Sequence, residues 1–268
     1  MQYDCRVTCK VRIGDLTIDL MTELQCIDFL YEKYQTRTST RLHLLNVNGL
    51  TLNMLDLKFH ENLIRANLLI PDGMPIIWFC KDAEHDHMPI RGSNLLTHVL
   101  SDSRFSEAQH LFLGGKKEKI AEMRLRIESR ALSGINFEIR PLPFSDTTSL
   151  LESIVNMNID FDLYHFIWIG IGTPKQDYLA STLCERSKSI VIPIGAVFGF
   201  LSGEILEAPR FIQYSGFEWL YRLYKEPRRL LVRYMRSNFI FLLRFGLQLV
   251  SARFSRFRQT AKGKIKNI

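Results

Sequence analysis

A carboxylate held in a Pro/Gly-bounded turn can take a proton, and this chain has one in Ile70-Pro71-Asp72-Gly73-Met74-Pro75. The turn follows a short apolar run and precedes a helical pattern. That puts Asp72 at a strand-to-helix turn, where open α/β sheets present residues to ligands. Asp and Gly also punctuate ordinary turns, and Asp caps helices, so one such turn has two readings. Two more glycine-marked strand ends favour the chemical one: Leu113-Gly114-Gly115 and Ile169-Gly170-Ile171-Gly172-Thr173-Pro174-Lys175-Gln176, each opening onto a helical pattern. Glycines at such turns let backbone N–H groups approach a phosphate or sugar. Asn46, in Asn46-Val47-Asn48-Gly49, suits a ligand-facing turn or a helix cap equally well. Arg91, opening Arg91-Gly92-Ser93-Asn94, either grips a phosphate at a helix start or lies on the surface.

Two tempting motifs carry less. Glu84-His85-Asp86-His87 has metal-ligand letters but no third ligand at a defined spacing, and reads as a solvated loop. Asp160-Phe161-Asp162 precedes a strand instead of following one, which places it at the opposite edge of the sheet. No G-x-G-x-x-G stands in the strand-turn-helix context of a dinucleotide site.

These residues must be positioned by alternating strands and helices. Arg6–Leu20 reads as a hairpin around Gly14-Asp15, followed by a helix over Thr22–Tyr34 with Thr22 as cap. Strands are expected at Arg41–Asn46, Leu68–Ile70, Leu111–Leu113, Asn136–Arg140, Leu163–Ile169 and Ile190–Ile194, the last ending at Gly195. Helices are expected at Leu50–Ala66, from Pro75, from Gly92, and at Lys116–Ala131, Thr147–Asn156 and Gln176–Arg186. That rhythm implies an α/β, Rossmann-like, mostly parallel sheet with helices on both faces.

At 268 residues, 46% hydrophobic and 24% charged, the chain folds around one substantial core with room for an appendage. Its five cysteines form no C-x-x-C pair, which fits a reducing compartment. Charged residues near Met1 with no apolar run behind them argue against a signal peptide, so a cytosolic face is expected. The net charge of +7 is unevenly spread: residues 208–268 hold 14 Lys/Arg against Glu218 and Glu226, leaving a mildly acidic body over 1–207. By charge alone such a tail suits anionic lipid or nucleic acid. Its Arg residues interleave with Phe, Tyr, Trp and Leu and include no apolar run of about twenty, which suits an interfacial helix. The plainer alternative is a terminal helix docked on the body with a solvated basic face.

Taken as a set, Asn46, Pro71-Asp72-Gly73, Leu113-Gly114-Gly115, Gly172-Thr173-Pro174-Lys175-Gln176-Asp177, Ala208-Pro209 and Gly216-Phe217-Glu218-Trp219-Leu220-Tyr221-Arg222-Leu223 with Glu226-Pro227-Arg228-Arg229 resemble the WecG/TagA/CpsF glycosyltransferases from about Arg41 to Tyr234. The resemblance implies a GT-E-class core and an inverting, metal-independent transfer, with no cofactor, from a nucleotide sugar to a polyprenyl-diphosphate-linked sugar. The acceptor would lie at the inner face of the cytoplasmic membrane, and the products would be cell-surface polysaccharides such as teichoic-acid linkage units or exopolysaccharide repeats. Carried over by position, Asp72 is the general base. In the same way Gln176 and Asn46 serve the donor, and Arg222, Arg229 and Arg233 the membrane or acceptor; beside them the turn residues Gly73, Gly114, Gly170, Gly172, Pro174 and Gly195, with Arg91, are expected to hold the donor. The chain departs from the pattern with Leu44 for a common Thr, Pro89 for an Arg, Asp177 for a Glu and Gly199 for an Asp near the nucleotide. Asn46-Val47-Asn48 is similar to the exopolysaccharide glucosyltransferase branch. Two rival readings are a nucleotide-sugar-binding peripheral membrane protein without catalysis and a nucleic-acid module using the tail. The core has no groove-reading motif to support the latter.

Overall fold

The computed structural model describes residues 9–80, 87–142, 146–155, 157–241 and 243–244. Glu84, His85 and Asp86 of the metal-like motif, and the last residues from 245 onward, lie outside them.

The chain opens with the expected antiparallel hairpin, β1 (Cys9–Ile13) and β2 (Leu16–Leu20), turning at Gly14. Helix α1 (Glu23–Thr36) starts from a capping box in which Thr22 and Gln25 each satisfy the other's backbone N–H. Strand β3 (Thr40–Leu45) is buried along its whole length. The single helix expected over Leu50–Ala66 is instead two, α2 (Val47–Leu55) and α3 (Leu57–Ile64). The break has a local cause: the Asp56 N–H closes α2 on Leu52, while its carboxylate caps α3 at Phe59 N, 3.1 Å away. Then come β4 (Leu68–Pro71), α4 (Met74–Cys80), α5 (Gly92–Ser101), β5 (Gln109–Gly114), α6 (Ile120–Glu128), β6 (Asn136–Arg140) and α7 (Thr147–Val155). Strand β7 runs Phe166–Gly170, shorter than expected because Phe161–Leu163 forms a 3-10 turn capped by Asp160. Asp162 accepts from Lys188 N at 2.7 Å, so Asp160-Phe161-Asp162 sits at the amino ends of the strands. Helix α8 (Lys175–Arg186), β8 (Ile190–Pro193), α9 (Val197–Ser202), α10 (Arg210–Gln213), α11 (Glu218–Lys225) and α12 (Pro227–Phe241) complete the order.

Six strands form one sheet in the order β4-β3-β8-β7-β5-β6, every neighbouring pair parallel. Alternate residues serve opposite faces. Leu42, Phe112, Trp168 and Ile192 join α1, α5, α6 and α9 residues on one face, while Leu111, Leu113, Ile167, Ile169 and Val191 meet α7 and α8 on the other. Within the first face the rings of Phe112, Trp168 and Phe166 are nearly parallel, and His110 stacks on Phe166 with centroids 5.1 Å apart. Burial drives the His110 imidazole down to about 3, so it is neutral and accepts from Trp168 Nε1 at 3.2 Å. The edge strand β4 is met by the hairpin, where Asp19 accepts from Leu69 N at 2.9 Å.

The C-terminal helices lie against this body. Leu230, Ser237 and Phe241 form the buried stripe of α12 at helical spacing, Thr51 of α2 donates to the Ser237 carbonyl, and Phe241 joins the cluster of Leu45, Leu50 and Ile76. The opposite face exposes Leu231, Val232, Met235 and Phe239 among Arg228, Arg229 and Arg236, and Phe211, Phe217, Leu220 and Tyr224 are exposed on or beside α10 and α11. Among the described residues no helix is long and apolar enough to cross a membrane.

Candidate active site

A cavity of about 470 Å³ opens at the carboxyl ends of β3, β4, β7 and β8, and α11 and α12 wall its outer side. Asn46, Asp72, Gly73, Arg91, Gly172, Gln176, Gly195 and Arg222 all line it. Residues from four separate strand ends thus meet in one place, as the sequence reading expected. Gly114 and Gly170 are not in the lining, and Pro174 lies beside it at the start of α8.

Asp72 follows the last residue of β4, and its N–H donates to the Leu45 carbonyl at 2.7 Å, which ties the turn to β3. Gly73 then takes φ +108°, a conformation that disfavours any side chain and turns the backbone into α4. Asp72 is half-buried and faces the cavity. Its carboxyl is pushed up to about 6, by desolvation first and by Glu218 second, against the lowering effect of Arg91, Arg222 and a hydrogen bond from Asn46. Asn46 serves both readings made of it: its Oδ1 caps α2 at Gly49 N, 3.1 Å away, leaving the amide N–H₂ for Asp72.

The loop after β7 is held by Gln176, which is almost fully buried. Gln176 Oε1 accepts from Gly172 N at 3.1 Å and its Nε2 approaches Thr173 Oγ1 at 3.4 Å. Gly172 has φ +87° with open space where a Cβ would stand, so its backbone is bare toward the cavity. Beneath this loop Asp177 has no exposed side-chain surface, and its Oδ1 lies 3.1 Å from His43 Nδ1 of β3. The approach is off the line of a hydrogen bond, and neither Asp177 carboxylate oxygen has a hydrogen-bond partner among the described residues.

The other glycines have a different reason to be glycine. A Cβ on Gly170 would stand 2.0 Å from the Phe198 ring, and one on Gly114 would stand 2.8 Å from the Gly170 carbonyl oxygen. Neither lines the cavity, and protein fills the side of each where a Cβ would stand. At Gly199, Ile205 Cδ1 would be 2.3 Å from an added Cβ, so Ile205 fills the space a longer side chain there would need.

The cations divide. Arg91, 4% exposed, gives both terminal nitrogens to Glu218, with Nη2 to Oε1 at 3.0 Å, and lies 3.7 Å from Glu207, itself held by Ser93 at 2.6 Å. Its charge is already met within the chain, which neither sequence-based reading of Arg91 foresaw. Arg222 lines the cavity with a buried Nε that has no hydrogen-bond partner. Arg229 is exposed and pairs with Glu226 at 2.8 Å. Arg233 lies on α12, its side chain outside the described set.

Sequence reasoning passed over Glu218, Glu207, His43, Trp78 and Trp219. Glu218 carried a signal, being one of only two acids in a segment with fourteen bases. Trp78, 40% exposed, lines the cavity and rests on Gly216, where a Cβ would meet its ring at 2.6 Å. Among the described residues no group of three His, Cys, Asp or Glu side chains is placed to hold a metal ion.

Residues 11–255 match the glycosyl transferase WecG/TagA/CpsF family. The N-acetylglucosaminyldiphosphoundecaprenol N-acetyl-beta-D-mannosaminyltransferase of Bacillus spizizenii is 24% identical over 174 residues, covering 64% of this chain and 66% of its own length. The match therefore spans just under two thirds of that relative.

Proposed function

The chain belongs to the WecG/TagA/CpsF glycosyltransferase family, and from that premise we propose that it moves a sugar from a nucleotide-sugar donor, a UDP-sugar, to a polyprenyl-diphosphate-linked acceptor in cell-surface polysaccharide synthesis. The relative's name supports an acceptor that ends in N-acetylglucosamine on the diphosphate-linked polyprenol. The observation that carries the reading is Asp72: a carboxylate facing a cavity, titrating near 6 and so ionised at neutral pH, beside residues suited to an anionic leaving group.

In the proposed reaction the acceptor hydroxyl attacks the anomeric carbon from the face opposite the departing nucleoside diphosphate. Its proton passes to Asp72, the C–O bond to the diphosphate breaks, and the configuration inverts. Asn46 orients the carboxylate. The Gly172–Thr173 backbone, fixed by Gln176, holds the donor, and the Arg222 guanidinium offers positive charge to a diphosphate without a metal. Turnover of a panel of nucleotide sugars on a polyprenyl-diphosphate N-acetylglucosamine acceptor tests this, with product expected from at least one donor and unchanged in EDTA. No transfer from any donor, with nucleotide binding intact, would favour the non-catalytic reading, and a strict need for manganese or magnesium would overturn the metal-free mechanism.

The exposed apolar and basic face of α10–α12 is proposed to rest on the inner leaflet. Each basic residue near an anionic surface contributes on the order of 1 kcal/mol, and buried apolar side chains add to it. Deleting the segment would also strip Arg222 and Phe241 from the cavity, so substitution is the cleaner test. Val232→Glu with Phe239→Glu, both on the outer face, should abolish co-sedimentation with anionic vesicles while leaving nucleotide binding intact. Co-sedimentation equal to that of the unsubstituted chain would sink the docking.

A further inference from the structure

Building on the reading of Asp72 as base, we infer that Glu218 is a positioning residue that holds Arg91 away from Asp72, so that the carboxylate stays free to accept a proton. Asp72, Arg91 and Glu218 all line the one cavity. Arg91 is buried at the start of α5, its terminal nitrogens are both spent on Glu218, and Glu207 flanks the pair at 3.7 Å. Its positive charge nonetheless acts on Asp72, and the Asp72 charge acts on it. An arginine able to reach a carboxylate, with no competitor, forms a bidentate pair with it. That pair would hold the carboxylate oxygens in a fixed hydrogen-bonded geometry and lower their affinity for a proton by about one to three pKa units. Glu218 forestalls this by taking the fork itself.

The groups facing Asp72 are Glu218 and Arg222 from α11, Arg91 from the start of α5 and Asn46 from the cap of α2. Direct repulsion between Glu218 and Asp72 also raises the Asp72 carboxyl, so the test must separate it from the effect exerted through Arg91. Carbon-13 NMR titration of Asp72, in the full chain, gives the readout without needing donor or acceptor. Glu218→Gln should lower the Asp72 pKa by at least about one unit in the native background and by much less in an Arg91→Gln background, where no guanidinium remains to be released. Glu218→Asp keeps the charge but shortens the reach, and should also lower it, which covers the case in which Arg91→Gln does not fold. An equal fall in both Arg91 backgrounds, or no fall with Glu218→Asp, overturns the inference. Turnover is measured on the same variants: a lowered pKa with unchanged rate would remove Asp72 from its role as base while leaving the Arg91 assignment standing.

Discussion

The carboxyl ends of the strands fall into two halves that look alike in sequence and differ in what covers them. At β4, β7 and β8 the turns carrying Gly73, Gly172 and Gly195 open on the cavity. At β5 the turn Gly114-Gly115 is closed, with the Met123 sulfur 2.7 Å from where a Cβ on Gly115 would stand and the Gly170 carbonyl pressed against Gly114. The open half is braced by polar devices, the Gln176 amide and the buried His43–Asp177 pair. The closed half is braced by apolar packing from Phe198 and Met123. Glycine therefore marks close approach, and only the neighbours reveal whether a ligand or a side chain does the approaching.

Substitutions can break that contrast. The largest effect is expected at Asp72: Asp72→Asn keeps the shape and removes the base, and should cut transfer by about 10² to 10⁴. Its stability should move the other way. The folded state holds the Asp72 proton more tightly than the unfolded chain, with a carboxyl at about 6 against a usual 3.8. That contribution is complete below pH 3.8 and lost as pH rises through 6, so the ionised carboxylate is a burden at neutral pH, bounded at roughly 3 kcal/mol. Asp72→Asn should therefore raise Tm at pH 7 and leave it nearly unchanged near pH 3; a fall at pH 7 would mean that the carboxylate holds the fold together.

Next in size is Gly170→Ala. The new methyl would meet the Phe198 ring at 2.0 Å, and overpacking of this kind costs about 1–3 kcal/mol. Thermal melting should register it, while the donor KM of the folded enzyme stays put; a raised KM with unchanged Tm would return Gly170 to the ligand surface. The smallest effect is expected at Gln176. Gln176→Ala releases Gly172 N and should weaken donor binding by about 0.5–1.5 kcal/mol, measured by calorimetry with the nucleotide sugar. Unchanged affinity would make the amide a brace without influence on the loop's occupant.

Much of this was legible because the chain keeps its rules locally. Short apolar runs and the Pro/Gly turns after them located all six sheet strands, and Asp72, Asn46 and Gln176 follow directly from strand ends. What was illegible is long-range. His43 and Asp177 are 134 positions apart, and the Arg91–Glu218 clamp spans 127, so no periodicity or spacing could join them. The helix over Leu50–Ala66 read as one because Asp56 looks like an ordinary polar face residue; only the cap geometry shows that it ends one helix and starts another. The packing against Gly170 was illegible for a related reason: Phe198 lies one strand-helix unit later, and its ring cannot be located from the turn it packs on.

The strand order carries a consequence for how the molecule comes into being. β8, the last strand of the sheet to be synthesised, is inserted between β3 and β7. While a growing chain has emerged only as far as α8, β3 and β7 each lack a neighbour on the side where β8 will lie. A continuous sheet then requires a slot one strand wide, with flanking strands about 10 Å apart. Every group of the catalytic crevice except those from β8 onward already exists at that moment, yet the crevice does not. Arrival of Ile190–Pro193 joins the two halves in a single step. The nascent chain meanwhile carries two unpaired strand edges with free backbone N–H and C=O groups, beside apolar faces left uncovered, the kind of surface that chaperones bind and that pairs wrongly with other copies.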